Sequence, residues 1–479
     1  KAQSDVKFND GVRYSQWVID SRLGDFYGNR KKFGFNTYDR NLNTKNTVST
    51  WYKEDGTTNY SIQVDYVAGL VAKATIEAAE YYKNFDWSKP WFKSVEWYGN
   101  KCTVPTSPDN LDAINASKMY FGIYNLANGT FKDDAGSNTA SNATKQLGNA
   151  LTALSNYNNN YAFAAGTTLN SVDIAGGWYH KSTYPKQMWL DGQYMGPATL
   201  AQLINGYSSY SSNKLTDNDW NLITKQFTIV WEQCWDSNEK LLYHAFSSEK
   251  LSYWTSEPEI WTTAQADKTK WTSMTAAGHS AAFWGRAEGW YFLALVDVLE
   301  EMQKANLTNS DNYKTLSNYL AQLAEGIKDR QDATTGCWYQ LVGKEGSYKA
   351  SYYNGNSANE KSNYLESSCT AIFTAAYLKA IRLGLLEKDT YFSIAEKAYK
   401  GMVKQFMKQR EDGTVDLLGC CKSAGLGTTG LGKEKFRDGS NAYYLHGYDV
   451  TPTSTNSGDY YTEGKVLGAF ILAATEYER

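Results

Sequence analysis

A chain of 479 residues with 42% hydrophobic and 21% charged side chains can bury a large core, which excludes a disordered polymer. A net charge of −3 offers no electrostatic reason to expect nucleic acid or an anionic membrane surface, and no apolar run approaches the length of a bilayer span. Aromatic residues make up 15% of the chain and are mostly Tyr and Trp, whose flat apolar faces and polar edges suit sugar rings as well as helix packing.

The chain begins at Lys1 without a charged-then-apolar leader. Its Asn-, Ser-, Thr- and Tyr-rich loops favour an exported protein, periplasmic or cell-surface, whose signal peptide has been removed, over a cytoplasmic one. Apolar residues then recur at three- and four-residue spacing in twelve segments, at 11–22, 60–84, 88–99, 112–126, 141–155, 191–207, 217–234, 281–304, 311–330, 364–384, 388–407 and 461–478. Long Gly-, Asn- and Ser-rich connections occupy 24–58, 157–187, 236–279, 333–362 and 409–459, and Gly336–Leu341 reads as a short extended piece of a hairpin. Strands and helices do not alternate, no phosphate loop occurs, and no fixed repeat marks an open solenoid. Twelve helices without a dividing linker predict an all-α single domain over 1–479: six helical hairpins closed into an (α/α)6 barrel, with the long loops gathered at one functional end.

The chemistry narrows by elimination. His180, His244, His279 and His446 are far apart and form no HExxH, and the six cysteines have no metal-ligand spacing, so neither a metal nor a cofactor is expected. Cys234 and Cys369, inside helical patterns, read as buried free thiols. No GxSxG elbow appears. Carboxylates remain, and sugar hydrolysis is carboxylate chemistry.

Asp191 follows the aromatic, Pro-containing stretch Gly176–Leu190 and opens a helix through Gly192-Gln193-Tyr194-Met195. It fits an N-cap, whose hydrogen bond would lower its pKa; it equally fits a general acid, crowded by Trp189 and Met195 and pushed up by them. Spacing alone does not separate the two. Asp112, in Pro108–Ala116, also stands at a helix start, with Asn115 one turn on. Phe283-Trp284-Gly285-Arg286-Ala287-Glu288-Gly289-Trp290 holds two glycines at a helix start, costly unless backbone approaches something closely. There Trp284 and Arg286 suit either a sugar-and-carboxylate clamp or packing. His244, in Leu242-Tyr243-His244-Ala245, reads by itself as a hydrogen-bonded loop histidine.

Together, Trp178-Tyr179-His180-Lys181, Tyr184-Pro185 and Gln187–Met195 closely resemble the central signature of the unsaturated rhamnogalacturonyl hydrolases, glycoside hydrolase family 105, relatives of the family 88 unsaturated glucuronyl hydrolases. Leu242–Ala245, Phe283–Trp290, Asn363–Ser368 and Glu463–Phe470 follow in that family's order, from about Tyr66 onwards. The resemblance implies a six-hairpin barrel that removes a 4,5-unsaturated uronic acid from the non-reducing end of lyase-generated oligosaccharides, with the pectic rhamnogalacturonan type favoured. It implies Asp191 as the acid that hydrates the C4=C5 bond and Asp112 as the second catalytic carboxylate. Tyr66, Lys181, Met195, His244, Trp284, Arg286 and Trp290 would line the substrate pocket, with Lys181 or Arg286 against the substrate carboxylate and Trp284 or Trp290 stacked on its ring. Around Tyr66 the chain reads Gln63-Val64-Asp65-Tyr66 and lacks the Trp expected two residues earlier, and 128–175 and 236–279 are longer than usual. The readings that compete are another α/α-barrel glycosidase and a helical, non-catalytic glycan-binding protein. The oligomeric state is not encoded in any of these features.

Overall fold

The computed structural model describes residues 4–23, 36–38, 44–49, 52–54, 60–62, 64–249, 278–350, 360–427, 437–447, 450–453 and 462–479. Its helices are α1 (Tyr14–Arg22), α2 (Tyr66–Tyr81), α3 (Lys89–Lys101), α4 (Asp112–Asn115), α5 (Met119–Ala127), α6 (Thr139–Asn160), α7 (Leu190–Met195), α8 (Pro197–Gly206), α9 (Tyr210–Asn213), α10 (Asp219–Cys234), α11 (Gly285–Lys304), α12 (Asp311–Lys328), α13 (Ser367–Arg382), α14 (Lys388–Phe406), α15 (Asn441–His446) and α16 (Gly464–Glu478).

Burial divides them into two layers. Helices α11 and α13 are buried on almost every side, whereas α12 buries a single stripe that includes Leu316, Leu320 and Leu323. A helix apolar all round belongs inside, and an amphipathic one belongs on the outer wall. The inner ring runs α2, α4–α5, α7–α8, α11, α13, α16 and closes where α16 packs on α2. The outer helices α3, α6, α10, α12 and α14 follow their inner partners, and α1 covers α16, so the last hairpin joins the two ends of the chain. This is the expected (α/α)6 barrel.

The connections differ at the two ends. The links from inner to outer helices are all short, whereas most of those that return to the inner N-termini are far longer, as at 161–189 and 329–366. All six inner helices therefore present their N-terminal turns, whose free N–H groups favour negative charge, at the end where the long loops gather. Three of these starts are carboxylate caps. Asp65 accepts from the Ala68 N–H at 2.8 Å, Glu366 from the Cys369 N–H at 2.8 Å and Glu463 from the Lys465 N–H at 2.6 Å.

Several boundaries depart from the expected ones. Tyr60–Ile62 is a strand paired with Tyr52–Glu54 rather than the first turn of a helix, and α2 starts at Tyr66. The segment 112–126 is divided by a 3-10 turn, Ala116–Lys118, and 191–207 is broken at Pro197, which has no N–H to continue α7. Gly336–Leu341 forms no strand of its own; Tyr339 and Leu341 make single bridges to Leu365 and Trp284. Much of the long connection expected at 236–279 lies outside the described residues. All six cysteines are buried and unpaired. The two costly glycines of α11 have a packing reason: a Cβ would come within 2.8 Å of Cys369 Sγ at Gly285, and of Ile372 Cγ2 at Gly289. What approaches them is α13, not a ligand.

Candidate active site

Asp191 lies in the first turn of α7 but does not cap it, since Trp189 is the N-cap and makes no side-chain cap. Its Oδ1 is 2.9 Å from His244 Nε2, and His244 Nδ1 is 2.6 Å from the Tyr444 hydroxyl. Both contacts are satisfied when Tyr444 donates to Nδ1 and a neutral imidazole donates from Nε2 to the carboxylate. His244 is carried beside Asp191 because the strand Ala245–Ser247 pairs with Gln187–Trp189. Burial holds the His244 pKa below its ordinary value, although Asp191 opposes this. Burial also pushes Asp191 upward, but the electrostatic pairing and hydrogen bond with His244, helped by His180, outweigh it and leave Asp191 below the usual carboxylate value. The upward shift expected from Trp189 and Met195 is thus corrected: the histidine decides the direction.

Asp112, the first residue of α4, does not cap its helix either; Asn110 does, accepting from the Ala113 N–H at 2.9 Å. Asp112 Oδ1 is 3.3 Å from His180 Nε2, and Oδ2 is 3.2 Å from Lys181 Nζ. Burial works against its charge, but His180 and Lys181 prevail and hold its pKa well below the carboxylate range. Asp112 and His180 both lie near enough to Asp191 for their charges to act on it. The segment that carries His180 and Lys181 is held to the α4 entrance by backbone bonds from Leu111 N–H to His180 O and from Ser182 N–H to Asp109 O. The His180 ring stacks on Trp189 at 4.4 Å, and Tyr184 stacks on the same indole at 4.9 Å. Asn115 turns away, donating to the Tyr66 carbonyl at 3.2 Å.

Tyr66 stands at the α2 N-terminus, with its ring edge-on to Trp290 at 6.1 Å. Trp290 is fully buried against Tyr194, and its Nε1 has no hydrogen-bond partner among the described residues. Met195 is buried one turn below Asp191, on the same helix face. Trp284 is 1% exposed, covered by the Arg286 guanidinium at 4.5 Å and flanked edge-on by His244 at 4.8 Å. Arg286 donates to Ser368 Oγ at 3.2 Å, to Lys422 O at 3.3 Å and to Cys421 O. Both residues are almost wholly buried, and the Arg286 Nε has no hydrogen-bond partner among the described residues.

The Glycosyl Hydrolase Family 88 model matches residues 40–479. The chain belongs to this family. A glycoside hydrolase of family 105 from C. acetobutylicum ATCC 824 superposes with a TM-score of 0.60 at 25% identity, over 87% of this chain and 94% of that one. The unsaturated glucuronyl hydrolase of Bacillus sp. GL1 shares the fold at TM-score 0.51 and 10% identity, over 97% of each chain. Among curated relatives, Protein Atu3128 of Agrobacterium fabrum (strain C58 / ATCC 33970) is 32% identical over 173 residues, 36% of this chain. The chain spans 65% of that relative's length.

In this family 88 chain, every site residue expected from the sequence lies around the N-terminal end of the inner ring. Three residues of the site escaped the sequence reading. His180 stood beside Lys181 in the signature and could have been found there. Tyr444 and Arg437 come from the C-terminal connection, where no motif marks them; the Arg437 guanidinium lies 4.8 Å from the Tyr184 ring and 5.5 Å from Trp189.

Proposed function

We propose that this hydrolase removes a 4,5-unsaturated uronic acid from the non-reducing end of lyase-generated oligosaccharides, those from pectic rhamnogalacturonan first among them. The observation that supports it most is a pair of buried carboxylates with unlike partners. Asp112 faces a cation and a second histidine, while Asp191 faces one histidine whose own pKa is low. Such divergent surroundings suit one permanent anion and one group that exchanges a proton.

In this reading the C4=C5 π pair takes the proton of Asp191, and positive charge develops at C5 and the ring oxygen. The anion of Asp112 stabilises that charge. Water adds to C5 as the Asp191 carboxylate takes its proton, which regenerates the acid. The hemiketal opens to a C5 ketone, and collapse at C1 releases the rest of the chain. Asp191 is ionised in the empty site, so its proton must be favoured by the ligand. An incoming uronate does this, because a second negative charge nearby raises the carboxylate pKa.

The test is the loss of ultraviolet absorbance of the C4=C5 bond on incubation with unsaturated pectic and glycosaminoglycan oligosaccharides. Asp191→Asn should cut kcat by roughly 10²–10⁴-fold while oligosaccharide binding persists. Absorbance that never falls with the native protein would refute the activity; turnover that survives in the variant would remove Asp191 from the acid role.

A further inference from the structure

Arg437 enters the site from the segment just before α15. Its main chain bridges Gly427, and the next turn is pinned where the Ala281 N–H donates to Gly439 O at 3.0 Å. The side chain is 7% exposed and packs on the Tyr184 and Trp189 rings, the same indole that stacks on His180 and meets His244 edge-on. Its Nε donates to Gly427 O and its Nη2 to Leu426 O, each at 3.0 Å. Nη1 makes no hydrogen bond to a described residue. At Gly425 a Cβ would lie 2.0 Å from that Nη1 and 2.8 Å from Trp189, so only glycine leaves the guanidinium its place.

Of the other two cations considered for the substrate carboxylate, Lys181 pairs with Asp112 at 3.2 Å. Arg286 also lacks a described carboxylate partner, but it is 1% exposed and holds Ser368 and the Cys421 and Lys422 carbonyls against Trp284, whereas Arg437 lies on the Trp189 and Tyr184 rings beside the carboxylates. Arg437 has carbonyl partners but makes no ion pair with a described carboxylate. Carbonyl oxygens satisfy N–H groups without cancelling the charge, and a buried cation without a counter-ion is costly. Its field reaches both Lys181 and His244, which locates it beside the two carboxylate clusters.

We propose that Arg437 receives the carboxylate of the bound uronate and thereby sets the preference for an acidic sugar over a neutral one. This rests on the uronyl hydrolase reading above. The planar fork of Arg matches a carboxylate edge, and the ring stack fixes its plane.

The experiment compares an unsaturated disaccharide as free acid and as methyl ester. Turnover is measured for the native protein, Arg437→Gln and Arg437→Lys. Binding of both ligands is measured by calorimetry for Asp191→Asn with and without Arg437→Gln. The acid-to-ester ratio of kcat/KM cancels any loss of folded protein. Arg437→Gln should lower that ratio by roughly 10–100-fold, the scale of a charge-assisted hydrogen bond, with Arg437→Lys between the two. The binding ratio should fall in parallel. An unchanged ratio, equal losses on acid and ester, or no binding of the acid overturns the proposal. Absent turnover combined with Arg437-dependent binding would instead sink the hydrolase reading and leave the carboxylate site standing.

Discussion

Asp191 and His244 form a buried pair in which each sets the proton affinity of the other. Replacing the imidazole in His244→Gln removes the main influence that lowers Asp191, and burial, opposed only by the weaker pull of His180, then pushes its pKa up. An acid works only below its pKa. The alkaline limb of the kcat/KM profile should therefore move to higher pH in this variant, even as its maximum falls. A limb that stays in place, or moves to lower pH, would show that Asp191 is not the group that titrates there. Tyr444→Phe should move the limb less, because Tyr444 touches only the far nitrogen of the ring. Asp191, Asp112 and His244 were picked out through the family resemblance, since by themselves two helix-start carboxylates and a loop histidine fit capping and packing as well. Their partnerships were not legible: His244 and Tyr444 are 200 residues apart, and no local pattern encodes such a contact.

At the scale of helices, periodicity located the twelve barrel helices and misplaced most the start of α2 and the end of α6, expected at 60 and 155 and found at Tyr66 and Asn160. Propensity could not show how the inner helices are tied together on the barrel axis. Asp297 of α11 lies 2.6 Å from Lys379 Nζ of α13 and 3.9 Å from Lys73 Nζ of α2, and Lys379 also reaches Glu300 at 3.0 Å. Burial opposes its charge, yet Lys379, Lys73 and Lys118 bring the Asp297 pKa down to about 2. Asp297→Asn would remove one carboxylate from two buried ammonium groups that keep Glu300 at 3.0 Å and Glu77 at 3.1 Å, at a cost of about 1.5–3 kcal/mol, that of a charge-assisted hydrogen bond. Thermal denaturation at neutral pH should show a clearly lower Tm; an unchanged one would mean that the network is not coupled to folding. The pH sign follows from a folded pKa below the unfolded value of about 3.9. The contribution is complete above that value and is lost as pH falls towards 2, so native and variant Tm should converge in acid.

For the whole molecule the decisive contact is ring closure, made by segments from opposite ends of the chain. Helix α1 packs on α16 as its outer partner, Ser15 N–H donates to Glu478 at 3.0 Å, and Trp17 Nε1 donates to Gly413 O at 2.8 Å. Beneath them Asp416 is wholly buried between two guanidinium groups, with Arg22 Nη1 at 3.1 Å and Arg410 Nε at 2.7 Å. The strand that carries Asp416 leads into Cys420–Cys421, and the Cys421 carbonyl holds Arg286 at the site. Closure and site therefore share one stretch of backbone. Asp416→Ala removes a carboxylate shared by two buried guanidinium groups, whereas Arg22→Met leaves the bidentate Arg410–Asp416 pair intact. The first breaks contacts to both guanidinium groups and the second to one, so Tm should fall in the order native, Arg22→Met, Asp416→Ala. Because Arg286 is braced through the same strand, kcat/KM measured well below the variant's Tm should also fall for Asp416→Ala, but hardly for Arg22→Met. If the two variants lose stability equally, or if Asp416→Ala keeps full activity, the closure is not what steadies the C-terminal wall of the site.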